Sequence, residues 1–429
     1  MPRPAPLIRS APGVTTPPVV VVGGGIVGVL TALELRRAGA TVTLLERGRI
    51  GEGASYGNAG LLVPGDPWPL ARPAAVVEGL RALVGRSSAL TVRWRAPGVV
   101  PWVGRFLLAS RPGAALRTGR LVHALAAESL ARYQELLPEP LGAACGLTRR
   151  GWLHVHRSPG SLAAGVRQAR AAGRLGEAWR LLDGPALARE EPALTGPLAG
   201  AILYPGDEGL RSYPLVQACA AQAAAEGVCV RPGAAAWALR VRGGRVTGVV
   251  GDFGELQASH VVVAAGADSA TLLRPLGVRL PILSGRGHSL TFTAADGVPS
   301  RPLHLVDSHL VVASALGSVR ISGGMDLGIG EARLDPARLA AIWTECQRWL
   351  PGLRPAGPVE EWCGRRPMTP DGRPVIGPVR GAPNVLVASG HGMLGVTLAP
   401  ITARLIARCL GEARPPVELG PFLPRGRAL

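Results

Sequence analysis

The chain has 429 residues, 47% hydrophobic and 18% charged, enough material for two hydrophobic cores. Its formal charge of +18 raises a nucleic-acid partner, but every basic residue is arginine, scattered without a block of like charge, and aromatic residues are only 4%; the clustered patch and stacking surface of nucleic-acid binders are lacking, so none is expected. The six cysteines (Cys145, Cys219, Cys229, Cys346, Cys363, Cys409) stand far apart with no Cys-x-x-Cys or Cys/His grouping, which argues against a disulfide framework and gives no metal site.

Residues 1–17 are proline-rich and lack the apolar core of a signal peptide, so they read as a loose tail. Val19 to Val22 is a β-branched run suited to a strand buried on both faces. Gly23, Gly24 and Gly25 follow, then a helix from Ile26 to Ala38 that Gly39 closes, then a second strand from Thr41 to Leu45 ending at Glu46. This is a βαβ unit. Gly23-x-Gly25-x-x-Gly28 is weak alone, but here it follows a strand, opens a helix and precedes an acid after the next strand. Gly23 permits the tight turn, Gly25 lets a pyrophosphate approach the backbone, and Gly28 lets helix and strand pack closely. The helix N-terminus around Ile26 and Val27 supplies N–H groups and partial positive charge, and Glu46 accepts hydrogen bonds from a ribose.

Residues 72–140 are Ala/Leu/Arg-rich and mostly helical, interrupted by Pro97, Pro101 and Pro112. Trp152 to His156 alternates like a strand, and Ser212 to Gly227 reads as a helix. Strand-like runs follow at Val228–Arg231, Ala238–Val241, Val246–Val250 and Ala258–Ala264, then at Ser289–Thr293, Leu310–Ala313 and Val319–Ser322. Asn384 to Ala388 is a late buried strand and Val396 to Leu410 a late helix. Nucleotide-type pattern thus comes first and last with mixed pattern between, as when one domain is inserted into another. No run of 18 apolar residues occurs, so a membrane span is not expected.

Four stretches point to one family: the glycine fingerprint; Gly53-Ala-Ser55-Tyr56-Gly57-Asn58-Ala59-Gly60; Trp362-Cys363-Gly364-Arg365-Arg366-Pro367-Met368-Thr369-Pro370-Asp371-Gly372 with its continuation to Gly377; and Gly390-His391-Gly392-Met393-Leu394-Gly395. Together they closely resemble bacterial FAD-dependent D-amino-acid dehydrogenases, within the D-amino-acid oxidase-like superfamily, over residues 18–412. The resemblance implies an α/β fold: a Rossmann-like FAD domain of the glutathione-reductase type from residues 18–66, 205–275 and 356–416, and an α+β substrate domain with a mixed sheet from 67–204 and 276–355, with a tail at 417–429. It implies non-covalent FAD, held by the fingerprint residues, Glu46, Arg47, Ser55, Asn58, Ala59, Gly60, Ala236, Ala264, Ala265, Gly266 and the loop Gly390 to Gly395. Val261 to Asp268 resembles the second strand-loop of such domains, and no cysteine lies in a flavin-facing motif.

The implied activity is oxidative deamination of D-amino acids to 2-oxo acids and ammonia, by hydride transfer from the α-carbon to flavin N5. Arg366 is expected to hold the substrate carboxylate through two parallel hydrogen bonds, with Arg365 its rival. His288 stands where relatives carry Tyr in a P-x-K/R-G-Y-S pattern; His288 and His391 are the acid/base candidates. Alternatives are oxidation of a cyclic or N-methyl amino acid (hydroxy-D-proline, glycine or sarcosine type) or of a 2-hydroxy acid. The expected acceptor is a quinone or the respiratory chain, otherwise oxygen. The expected location is cytoplasmic, with peripheral contact at the inner face of the cell membrane left open.

Overall fold

The computed structural model describes residues 18–83, 90–411 and 417–424; the expected N-terminal tail lies outside them. Val19–Val22 is buried at all four positions and pairs in parallel with Val42–Leu45 on one side and His260–Val263 on the other. The sheet extends through Ala382–Ser389 to an antiparallel edge strand, Val375–Val379, and on its other side to Cys229–Arg231. Side chains alternate across it. Val19, Val21, Val42, Leu44, Val262 and Leu386 face the helices Ile26–Arg37, Ser212–Ala225 and Gly395–Gly411. Val20, Val22, Leu45, Val261, Val263 and Val385 face a three-stranded antiparallel meander, Ala236–Arg242, Arg245–Gly251 and Gly254–Gln257. Burial on both faces is why these strands are runs of Val and Leu rather than alternating patterns.

A second, ten-stranded sheet runs from Arg354–Pro355 at one edge to Arg180–Leu182 at the other. Its main strands are Leu283–Asp296, Ser318–Leu327, Leu310–Ala315, Leu303–Leu305, Trp152–His156 and Gly200–Tyr204. One face is apolar: Leu153, Val155, Leu290, Phe292, Leu303, Leu305, Val312 and Ile321 pack against the helix Pro336–Trp349. The other face carries polar side chains. Register aligns one row across it, through Trp362, Ser289, Ser322, Val311, His304 and His154.

Three expectations need correction. Pro101 and Pro112 do not interrupt helices. They lie in the first turns of Val99–Ala109 and Pro112–Leu136, where the missing N–H has no partner to lose. Strand Glu360–Met368, expected in the nucleotide-binding part, pairs with Leu283–Asp296 over nine residues and belongs to the large sheet. The described part of the expected C-terminal tail is not loose: Leu419, Phe422 and Leu423 are buried in the core beneath the helix Gly395–Gly411.

That helix contains Pro400. Proline donates no hydrogen bond, so the carbonyl four residues earlier, at Val396, is left free. The Tyr133 hydroxyl donates to Val396 O at 2.7 Å and satisfies it.

Candidate functional site

The glycine turn is packed backbone on backbone. Gly23 has φ +116°, and a Cβ there would lie 2.4 Å from the Ala264 carbonyl oxygen. A Cβ on Gly28 would lie 1.8 Å from Gly23 O, so only glycine lets the helix sit on the turn. The Ala264 amide donates to Val22 O at 2.9 Å, which brings Ala264, Ala265 and Gly266 beside the fingerprint. The helix begins at Ile26, with Gly25 as an N-cap that offers no side chain and no acid in the first turn. A Cβ on Gly25 would meet only Ser55 Oγ at 3.2 Å, so this end is otherwise open, and Ser55 Oγ accepts from Ile26 N at 3.0 Å. An open helix N-terminus without a competing carboxylate suits a pyrophosphate.

Glu46 accepts from Gly24 N (2.7 Å) and Gly48 N (3.0 Å), which fixes its carboxylate beside the turn and leaves lone pairs free for a ribose. The Ala234 amide donates to Glu46 O at 2.7 Å, so the strand that Ala236 opens passes alongside. Arg47 reaches Asp268 at 3.0 Å. The donor set and the glycine cradle therefore fit an extended dinucleotide such as FAD.

The remaining cofactor candidates form a second wall. Gly60 has φ +74°, with a Cβ position 1.8 Å from Leu210 O. Asn58 accepts from Gly60 N at 2.8 Å and donates to Met393 O at 3.3 Å, tying the 55–60 loop to the 390–395 loop. Gly390 (φ +76°) and Gly392 (φ +56°) shape that second loop. Gly392 N donates to Pro367 O at 3.0 Å, and Leu394 packs with Ala59, Leu61 and Trp152. The helix that follows starts at Gly395, again with no acid in its first turn.

Arg366 stands next to this junction. Its register partner is Gly285, and its guanidinium lies over Gly287, where a Cβ would come within 2.1 Å of it. Its oxygen partner is the Gly324 carbonyl at 3.0 Å, and among the described residues no carboxylate pairs with it. Burial lowers its pKa to about 10, against a smaller raising pull from Asp326. Arg365 differs: it is paired with Asp268 at 2.5 Å and braces the two sheets together.

The two histidine candidates sit elsewhere than an acid/base group would. His288 is register partner to Gly323, whose Cβ position faces Leu310 and Ile342, so its ring turns to the helix side of the large sheet, as does Cys363 opposite it. Burial, then Arg286, lowers its pKa to about 4. His391 is 5% exposed, bonded through Nε2 to Thr402 at 2.9 Å, and burial lowers it to about 4. In this geometry neither ring turns toward Arg366: His288 faces the helix side of the sheet and His391 is bonded to Thr402.

Sequence reasoning passed over Arg320. It donates to the Tyr56 and Asn58 carbonyls (3.1 Å for the latter) and to Thr291 Oγ1 at 2.9 Å, clamping the 55–60 loop onto the large sheet. It also passed over Asp66, His154 and His304, which converge on the polar face. Neither set has a spacing signal, because each joins residues far apart in the chain.

The family model described as FAD-dependent oxidoreductase matches residues 18–409. D-amino acid dehydrogenase of Cereibacter sphaeroides is 34% identical over 417 residues, covering 93% of each chain. The Paramagnetospirillum magneticum protein of the same name is 36% identical over 403 residues, covering 91% of this chain and 94% of its own. Among solved structures, glycine oxidase from Geobacillus kaustophilus superposes with a TM-score of 0.76 at 22% identity, covering 95% of this chain and 98% of that one. L-proline dehydrogenase from P. horikoshii does so with 0.72 at 18% identity, covering 95% and 97%.

Proposed function

The chain belongs to the FAD-dependent oxidoreductase family, and from that premise we propose that it oxidises D-amino acids to imino acids, which hydrolyse to 2-oxo acids and ammonia. The observation that carries the substrate class is Arg366: a partly buried guanidinium, with no carboxylate paired to it among the described residues, beside the loops proposed to hold the cofactor. A desolvated arginine without a carboxylate calls for one, and a substrate α-carboxylate supplies it through two parallel hydrogen bonds. Fixing that carboxylate fixes the direction of the α-hydrogen. Bound FAD supplies the two-electron acceptor for the hydride.

Among the described residues, His288 and His391 turn away from Arg366, and Asp326 is engaged by Arg286 and Arg338. The amine must therefore arrive neutral, and water or the substrate's own equilibrium removes its proton. Loops 55–60 and 390–395 would hold the cofactor, and Arg320 keeps the first in place.

The acceptor in this proposal is a membrane quinone, reached by peripheral contact. Among the described residues no helix is long and apolar enough to cross a membrane. Helix Val99–Ala109 buries Val99 and Trp102 but presents Val100, Leu107 and Leu108 outward, with Trp94 exposed nearby between Arg93 and Arg95. Apolar side chains flanked by arginine suit an anionic lipid surface. A Leu107→Glu/Leu108→Glu variant should lose binding to anionic vesicles and retain anaerobic flavin reduction; vesicle binding equal to the parent would remove this helix from the proposal.

The activity itself is tested by anaerobic absorbance of the flavoprotein titrated with D- and L-amino acids, N-methyl and cyclic amino acids, and 2-hydroxy acids. Bleaching by D-amino acids is the expected result. Bleaching only by sarcosine, glycine or hydroxy-D-proline would move the assignment to the N-substituted class, and bleaching only by 2-hydroxy acids would overturn it.

A further inference from the structure

We propose that Asp66, His154 and His304 form a site for one divalent transition-metal ion, on the polar face of the large sheet and apart from Arg366. Each offers a ligand atom, and these atoms lie within 4.8 Å of one another. The register explains the convergence. Trp152–His156 and Leu303–Leu305 are adjacent parallel strands, and His154 and His304 are direct register partners, so their rings leave the sheet on one side. Asp66 comes from the segment that crosses this face; its neighbour Gly65 is anchored by N–H donation to Asp207 at 2.8 Å.

The rings are caged. Trp152 stacks on His304 with centroids 5.4 Å apart and meets His154 edge-on at 4.2 Å, and Tyr204 meets His154 at 5.0 Å. Yet the caged groups have unmet polar atoms. His154 is 7% exposed and its Nε2 has no partner; His304 Nδ1 has none either. Buried nitrogens without partners are destabilising, and these lie on the two rings that converge with Asp66. A single cation meets all three requirements at once.

Arg72 is a positive charge facing the site and works against a cation, so the affinity is moderate. Two imidazoles and one carboxylate select zinc, cobalt, nickel or copper over calcium and magnesium, which take oxygen ligands. Three protein ligands leave a fourth position for water, and Asp66 and His304 are both partly open to it. An ion here would staple the segment after the 55–60 loop onto the large sheet.

The test uses the full-length flavoprotein, stripped with a chelator and titrated with Zn2+ by calorimetry and with Co2+ by difference absorbance. The parent should bind one equivalent that His154→Ala lacks and that Asp66→Asn binds at least tenfold more weakly; Mg2+ and Ca2+ should not compete. Saturating Zn2+ should raise the Tm of the parent and leave that of His154→Ala unchanged, while Asp66→Asn should need at least tenfold more Zn2+ for the same rise. Equal affinity in parent and Asp66→Asn, or competition by Mg2+, would overturn the proposal. Asp66→Asn is nearly isosteric and keeps the test intact if His154→Ala fails to fold. No readout depends on turnover.

Discussion

The two large sheets carry function in opposite ways. The six-stranded sheet is apolar on both faces, and its chemistry lies in the backbone at its edge: Gly23, Gly25 and Gly28, the Ala264–Gly266 crossing, and the start of a helix. The ten-stranded sheet is apolar on one face only, and the chemistry proposed for it lies in side chains on the other: Arg366, Arg320, His154 and His304. Backbone chemistry needs a contiguous run with fixed spacing. Side-chain chemistry needs only a shared face, which distant strands can supply.

The sharpest way to break the first half is Gly28→Val. A Cβ 1.8 Å from Gly23 O cannot be relieved by a side-chain shift, because the obstacle is backbone. The variant should purify without flavin or fail to fold, read as the ratio of visible flavin absorbance to protein absorbance. A yellow, stable variant would show that the turn does not need its glycine.

On the second sheet, Arg366 and Arg365 make a controlled contrast between neighbours. Arg366→Leu should lower kcat/KM for D-amino acids by roughly a hundred- to a thousandfold, the loss of a desolvated charge-assisted pair worth about 3–4 kcal/mol. Arg366→Lys should recover little of it, since an ammonium does not make the paired contact. Arg365→Leu breaks the link to Asp268 and should lower stability more than it raises KM. A larger KM effect at Arg365 would exchange the two roles.

Buried histidines sharpen the contrast in a third way. His154, His288 and His391 have pKa values lowered to about 3, 4 and 4, while the unfolded chain titrates near 6.5. The unfolded state therefore binds more protons between pH 6.5 and 4. Stability should be constant above pH 7 and fall as pH drops through that window, by roughly 3 kcal/mol per histidine at the lower end. Chemical denaturation of the metal-free protein at pH 7 and pH 5 measures it. His288→Gln and His391→Gln should flatten the slope without adding or removing an inflection in kcat/KM between pH 5 and 8. A lost inflection would restore a catalytic histidine.

The smallest effect belongs to the first region. Tyr133→Phe removes the donor to Val396 O, the carbonyl that Pro400 leaves free, and should cost about 1 kcal/mol with no kinetic change.

These same differences decide what was legible in the sequence. The βαβ start, the glycine roles, the late helix and the loops at 55–60 and 390–395 could be read directly, because each is local. Arg366 was reachable because it lies within a distinctive run. The orientation of His288 was not legible, because a motif places a residue in the chain and does not say to which side of a sheet its ring turns. Around His288 the pairing slips between Arg286 and His288, and the extra residue lies on the partner strand Ser318–Leu327, which a motif on one strand does not reveal. Asp66, His154 and His304 gave no signal at all, since their meeting depends on a crossing segment and on the register of two parallel strands. Pro101 and Pro112 misled for a simpler reason: the same residue breaks a helix within and starts one at its first turn.

The proposed amino-acid oxidation depends most heavily on a carboxylate held by Arg366. The direct measurement is stopped-flow anaerobic bleaching of the flavin by D-alanine and longer D-amino acids, in the parent and in Arg366→Leu at matched flavin content. Rapid bleaching in the parent, with a half-saturating concentration raised at least a hundredfold in the variant, is the predicted result. Equal half-saturation in the two proteins, or a parent whose flavin no amino acid bleaches, would contradict it.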